Sequence, residues 1–136
     1  MSTLKDILDA LNNPDVNMIG IYGPGGIGKT TIAKEIGKHA EDKKLFNVVA
    51  FAEVAVKPDI KYIQQEIAEK LGLTFRDENP SGRARHLQQR LKQEEKVLFV
   101  LDNIWERLNL EDVGIPFGND HKGCKLLLTA RNSDVL

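Results

Sequence analysis

The sequence predicts an α/β fold in which a mostly parallel sheet lies between two layers of helices. Two observations carry this expectation. Short apolar runs alternate along the chain with segments whose apolar residues recur at helical spacing. The runs themselves, clearest at Val97–Leu101, are apolar throughout instead of alternating with polar residues, as strands covered on both faces require. About four strands are expected, with a final strand of the sheet missing.

The elements follow in order. Leu4, Ile7, Leu8 and Leu11 mark one face of a short helix that Asn12-Asn13-Pro14 ends, and this face is expected to pack on the sheet. Met18–Tyr22 reads as a buried first strand, and Ile32, Ala33, Ile36 and Ala40 as the inner face of the helix after it. Phe46–Val56 is apolar and rich in β-branched residues, a second strand. Pro58-Asp59 opens a helix with Ile60, Ile63, Ile67 and Leu71 inward, and Gly72 stops it. Ser81 is the expected N-cap of a further helix, with Ala84, Leu87 and Leu91 inward. Lys96–Asp102 is a third strand, Arg107–Gly123 a loop, and Cys124–Thr129 a fourth strand. The chain contains no internal repeat and no low-complexity segment.

Composition narrows the function classes. With 136 residues, 41% hydrophobic and 29% charged, the chain is expected to form one globular domain spanning 1–136. Nineteen basic and twenty acidic residues give a net charge of −1, so no basic excess points to nucleic acid as a main partner. No apolar run approaches membrane-spanning length. The first residues are polar and amphipathic, unlike a signal peptide. A single cysteine, Cys124, cannot form an internal disulfide, which fits a reducing compartment and a cytoplasmic location. It reads as a small strand residue. His39, His86 and His121 have no ligand spacing and are expected at the surface, like the charge cluster Glu41–Lys44.

The chemistry concentrates at Gly23-Pro24-Gly25-Gly26-Ile27-Gly28-Lys29-Thr30, which fits the pattern G-x-x-x-x-G-K-[ST]. Glycines there let several backbone N–H groups point at one anion. Lys29 carries a compact charge toward the β- and γ-phosphates, and the Thr30 hydroxyl can ligate Mg²⁺. The start of the following helix adds its positive end. Strand, glycine loop and helix come in the required order, so an incidental glycine-rich turn is the weaker reading. The fold expected is the three-layer sandwich of P-loop NTPases.

Asp102 closes an apolar strand. Ligands of open α/β sheets bind outside the carboxyl ends of the strands, where the glycine loop also lies, so Asp102 can approach the same cation. A capping carboxylate at a strand end is the alternative. Arg131 follows the fourth strand; from the residues alone, a reporter of the γ-phosphate and a solvated arginine are equal readings. Asp120-His121-Lys122-Gly123 has the D-x-x-G spacing of GTPases, but no apolar strand precedes it and no N-K-x-D occurs, so it reads as a turn.

Taken together, Gly23–Thr31, Leu98-Phe99-Val100-Leu101-Asp102-Asn103-Ile104-Trp105-Glu106, Gly114-Ile115-Pro116-Phe117-Gly118 and Gly123-Cys124-Lys125-Leu126-Leu127-Leu128-Thr129-Ala130-Arg131 resemble the NB-ARC domain of plant disease-resistance proteins. Trp105 resembles the coiled-coil subclass. The resemblance implies a switch module of an intracellular immune receptor, holding ADP at rest and ATP when active. By position it implies Gly23, Gly25, Gly26, Ile27, Gly28, Lys29, Thr30, Thr31 and Arg131 as nucleotide-binding residues, and Thr30 and Asp102 as Mg²⁺ residues. Lys29, Asp102 and Asn103 are the candidate catalytic positions. The partners implied are adenine nucleotide and the coiled-coil, ARC and leucine-rich-repeat regions of the same receptor. The chain reads as a fragment of that receptor, with an adenine-contacting segment before residue 1 and lid segments after residue 136. Its Cys124–Thr129 strand is expected near an unfinished sheet edge that promotes self-association.

One departure matters. The family usually carries a second acid after the first in the second motif, and here it is Asn103. An amide cannot act as a general base at neutral pH, so hydrolysis is expected to be slow or absent. A stand-alone P-loop ATPase and a small-molecule kinase are the competing functions; the first needs a catalytic acid beside Asp102, the second an arginine-rich lid and an acceptor pocket.

Overall fold

The computed structural model describes residues 3–22, 28–54, 59–76, 78–104, 109–116 and 123–130. Four strands, β1 (Met18–Tyr22), β2 (Val48–Glu53), β3 (Val97–Ile104) and β4 (Cys124–Ala130), form one sheet in the order β1-β4-β3-β2, every pair parallel. Among the described residues five helices cover it: α1 (Thr3–Leu11), α2 (Lys29–Asp42), α3 (Ile60–Leu71), α4 (Pro80–Leu91) and α5 (Leu110–Val113).

Strand periodicity sorts the core into two layers. On one face Val49, Leu98, Val100 and Leu127 pack with Ile7 and Leu11 of α1 and with Ala33, Ile36 and Ala40 of α2. On the other, Ala50, Ala52, Phe99, Leu101, Leu126 and Leu128 pack with Ile63, Ile67, Leu87, Leu91 and Val113 from α3, α4 and α5. The result is the expected three-layer α/β sandwich, and α1 docks beside α2 on the same face of the sheet, as its apolar face required. The side chain of Leu4 lies outside the described residues.

Several local expectations change. β1 is an edge strand, not a buried one: Ile19 and Ile21 are half-buried while Met18 and Tyr22 are exposed. β4, expected near the edge, lies inside the sheet between β1 and β3, and every one of its residues is buried. The physical reason is hydrophobic. An interior parallel strand has both faces covered, which suits Cys124–Ala130, whereas the alternating burial of β1 suits a margin. The second strand is shorter than expected, Val48–Glu53; residues 55 and 56 of the predicted run lie outside the described residues. Asn79, not Ser81, caps α4. Its side chain accepts from the Ser81 N–H at 2.8 Å, and Pro80 takes the first helical position, where its missing N–H costs nothing. The expected loop 107–123 contains α5, whose cap Asn109 accepts from the Glu111 N–H at 3.0 Å.

Gly114 lets α5 approach α4. It has φ +101°, and a Cβ there would lie 2.4 Å from the Ala84 carbonyl oxygen, so only glycine fits. Buried Gln64 ties the same corner together, its Nε2 donating to the carbonyls of Pro80 at 3.0 Å and Val113 at 3.2 Å. His86 stands edge-on to Phe75 at 6.0 Å between ring centres, so it is half-buried instead of free at the surface. Glu41 of the expected solvated cluster pairs with Lys70 of α3 at 2.8 Å, an exposed pair of small energetic weight. No helix among the described residues is long and apolar enough to cross a membrane.

Candidate functional site

Because all four strands run parallel, their carboxyl ends meet at one rim. Register places Tyr22 beside Ala130 and Asp102 beside Glu53. The chain passes from Tyr22 through 23–27 to Gly28 and into α2. Gly28 takes φ 78° and ψ 22°, the left-handed conformation that a side chain disfavours, and its carbonyl accepts the Ile32 N–H at 3.0 Å.

The start of α2 differs from the starts of its neighbours. Asp59, Asn79 and Asn109 each accept N–H bonds at the head of α3, α4 and α5. Gly28 has no side chain to do so, and α2 has no side-chain cap bond among the described residues. The positive dipole end of α2 thus carries no side-chain cap from its N-cap residue, the kind of helix start at which anions bind. Lys29, half-buried, opens this turn, and Thr30 and Thr31 follow, both exposed.

Asp102 is 2% exposed, on β3 facing α2. The Thr30 hydroxyl donates to its Oδ2 at 2.7 Å. Its other oxygen, Oδ1, accepts from the hydroxyl of Thr129 on β4, a residue 1% exposed. Three elements thus converge on one carboxylate. A hydroxyl beside a carboxylate is the hard-oxygen set that Mg²⁺ takes when phosphates and water complete its shell. Among the described residues no cluster of three or more His, Cys, Asp or Glu residues could hold a metal alone.

Asn103 is half-buried and sits at φ 65°. The ladder slips here: Leu101 pairs with Leu128 but Ile104 pairs with Ala130, so Asp102 and Asn103 together oppose Thr129. This is a β-bulge, a device that re-aims a side chain and occurs often beside active sites. Asn is one of the few non-glycine residues that enter the left-handed region readily.

Of the sequence-predicted site residues, the structure brings together Gly28, Lys29, Thr30, Asp102 and Asn103, with Thr31 on the adjoining turn. Gly23, Gly25, Gly26 and Ile27 lie outside the described residues, as do Arg131, Trp105, the turn at 120–122 and His121. Sequence reasoning missed Thr129 as a site residue. The available signal was a hydroxyl in a strand whose other residues, Lys125 apart, are apolar. Cys124 is buried in β4, and burial pushes its thiol up to about 12, which makes it an inert strand residue as expected.

Comparisons with known proteins agree with this geometry. The model of the NB-ARC domain family matches residues 1–136. Disease resistance protein SUMM2 of Arabidopsis thaliana is 36% identical over 136 residues, covering 97% of this chain and 15% of that protein. Disease resistance protein RPS5 of the same plant is 37% identical over 122 residues, covering 87% of this chain and 14% of that protein. The chain thus spans a small part of the length of these relatives. Among solved structures, Cdc6p from Pyrobaculum aerophilum superposes with a TM-score of 0.63 at 19% identity, over 98% of this chain and 38% of that one. The Aeropyrum pernix ORC2 protein, solved in ADPNP–ADP complexes, gives 0.57 at 26% identity over 95% of this chain and 38% of that one. Family model, relatives and fold converge: the chain belongs to the NB-ARC domain family.

Proposed function

We propose that the chain is the adenine-nucleotide-binding switch module of an intracellular plant immune receptor of the coiled-coil subclass, resting with ADP and active with ATP. The observation that carries this is the Thr30 hydroxyl held on the Asp102 carboxylate at the start of α2, a helix that opens on left-handed Gly28. The phosphates lie against Gly23–Thr31, where backbone N–H groups and the α2 dipole supply positive potential. Lys29 adds a point charge that neutralises the outer phosphates. Arg131 reads the γ-phosphate, so ATP and ADP differ in the contacts they offer the end of β4.

Mg²⁺, when bound, neutralises phosphate charge and orients the polyphosphate. Thr30 and Asp102 hold it. With its proton committed to Asp102, the Thr30 hydroxyl presents only lone pairs to a cation. Asn103 leaves no second carboxylate beside Asp102 to take a proton from water, so turnover is slow and the bound nucleotide acts as a state marker. The same position weighs against a stand-alone ATPase or small-molecule kinase. The coiled-coil, ARC and leucine-rich-repeat regions of the receptor read that state.

The test is titration calorimetry of the chain with ADP, ATP and GTP, each with and without Mg²⁺. Adenine nucleotides are expected to bind, more tightly with Mg²⁺, and GTP much more weakly. Absence of binding, or affinity indifferent to both base and metal, contradicts the reading.

A further inference from the structure

Asp102 could accept hydrogen bonds from many directions, yet both of its oxygens are taken by hydroxyls within the protein. Thr129 does more than occupy one of them. Its oxygen also accepts the Asn103 N–H at 2.8 Å. That N–H belongs to the bulge, where two residues of β3 face one residue of β4 and the ladder cannot pair every backbone group. One hydroxyl therefore satisfies the amide that the bulge leaves over and, through its proton, fixes the rotation of the carboxylate that the bulge re-aims. A threonine hydroxyl has one proton and two lone pairs, and these two bonds commit the proton to Asp102.

We propose that Thr129 is a positioning residue for the metal centre: its hydroxyl locks the β3 bulge and the Asp102 carboxylate in the one orientation that presents the Thr30 hydroxyl to a nucleotide-bound cation. It acts through Asp102 and the Asn103 amide, the two groups its hydroxyl bonds, and so positions the site instead of catalysing. Valine at this position has nearly the same shape and would fill the same buried space, but would leave the Asn103 N–H and Asp102 Oδ1 without their partner. Serine would keep both bonds. The strand end that carries Thr129 is joined through Ala130 to Arg131, so the bridge also ties the orientation of Asp102 to the segment that leads to the proposed γ-phosphate contact.

The inference rests on the proposed nucleotide site, and two readouts separate them. The first is Mn²⁺ affinity of the ADP-loaded chain, followed by electron paramagnetic resonance, beside metal-free ADP affinity. Thr129→Val, with Thr129→Ala as a second hydroxyl-free variant should valine fail to fold, is expected to weaken Mn²⁺ binding by about 10- to 100-fold, the usual effect of losing a residue that orients a metal ligand. Metal-free ADP affinity stays unchanged, and Thr129→Ser restores Mn²⁺ binding. Wild-type Mn²⁺ affinity in the hydroxyl-free variants, or a serine variant as weak as they are, overturns the proposal. The second readout is hydrogen exchange at the Asn103 amide in the ligand-free chain. It quickens in the hydroxyl-free variants and stays slow with serine; equal exchange in all of them overturns the bridge. Failure of the wild type to bind ADP removes the nucleotide reading and the metal-positioning proposal together, and the amide then reports only whether the bridge exists.

Discussion

Lys125 and Thr129 stand on the same face of β4, near its two ends, and both are buried in an otherwise apolar strand. Lys125 points to the amino end of the sheet. Its Nζ donates to the carbonyl oxygens of Leu11 at 2.5 Å and Asn13 at 2.7 Å, where α1 ends and its backbone carbonyls lack helical partners. A cation there complements the helix dipole. Burial, followed by the charge of Lys96, holds its ammonium below the ordinary lysine range. Thr129 faces the carboxyl end and bonds a carboxylate and a bulge amide. One buried polar residue closes the structure and the other aligns chemistry. The difference lies in the partner: helix-end carbonyls need a donor in order to fold, whereas Asp102 is held by donors and still lies at the rim where ligands of parallel sheets bind.

Lys29→Ala should have the largest effect and separates the two ends most sharply. Ligand at a hundredfold its dissociation constant stabilises a fold by about 2.7 kcal/mol, which for a domain of this size is a rise of several degrees in Tm. Differential scanning fluorimetry should show that rise for the wild type with Mg²⁺ and ADP and lose most of it in Lys29→Ala, with little change in the ligand-free melt. Equal shifts in both proteins would remove Lys29 from the site.

Lys125→Met should do the reverse. It leaves the Leu11 carbonyl at the end of α1 without its donor, while the Asn13 carbonyl keeps the Val16 N–H at 3.1 Å; most of the side-chain volume is retained, and the cost is about 1–2 kcal/mol with a Tm lower by several degrees. The additional shift caused by Mg²⁺ and ADP should persist. A variant that melts like the wild type but no longer responds to nucleotide would place Lys125 in the wrong role.

Asn103→Asp probes the site end more gently. The left-handed backbone at this position accepts Asp as readily as Asn, so the fold and ADP affinity should be unchanged. Single-turnover phosphate release should rise by about tenfold, part of the roughly hundred- to ten-thousandfold that general-base assistance supplies. A brisk wild-type rate, or no gain with binding intact, would show that the missing carboxylate is not what limits turnover.

The smallest effect belongs to Cys124, at the closed end of β4. Its folded thiol ionises at about 12 against 9.0 for the free group. Between those values the unfolded chain releases a proton that the folded chain keeps, so the contribution of this residue to stability is complete below pH 9 and declines as pH rises toward 12. Urea titrations across that window should show the wild type losing stability relative to Cys124→Ala. Parallel curves, or rapid alkylation of the native thiol at about pH 8, below the ordinary thiol range, would show an accessible cysteine.

Much of the site was legible because it is local. Gly28-Lys29-Thr30 is contiguous and its strand and helix are written on either side, and Asp102 ends an apolar run whose direction follows from the parallel sheet. Thr129 was not legible as a partner, because its role depends on a bulge that changes no periodicity: Leu101-Asp102-Asn103-Ile104 reads the same with or without it. The sheet order was legible only in part. Continuous burial of β4 was written in Cys124–Ala130, but Met18-Ile19-Gly20-Ile21-Tyr22 looks equally apolar, and only the unequal exposure of its residues shows that it lies at the margin. Asn79 displaced Ser81 as a cap because Pro80 suits the first helical position, a competition among three adjacent residues that propensity alone does not resolve.

The claim that one end of the sheet handles a metal-bound nucleotide while the other only closes the fold is tested most directly by one calorimetric comparison. ADP affinity is measured with and without Mg²⁺ for the wild type, Asp102→Asn and Lys125→Met. The amide in Asp102→Asn keeps the shape of the carboxylate but not its charge. The account predicts that Mg²⁺ strengthens ADP binding in the wild type and in Lys125→Met, and that this strengthening disappears in Asp102→Asn while metal-free affinity survives. Strengthening that persists in Asp102→Asn, or that vanishes in Lys125→Met, would contradict it.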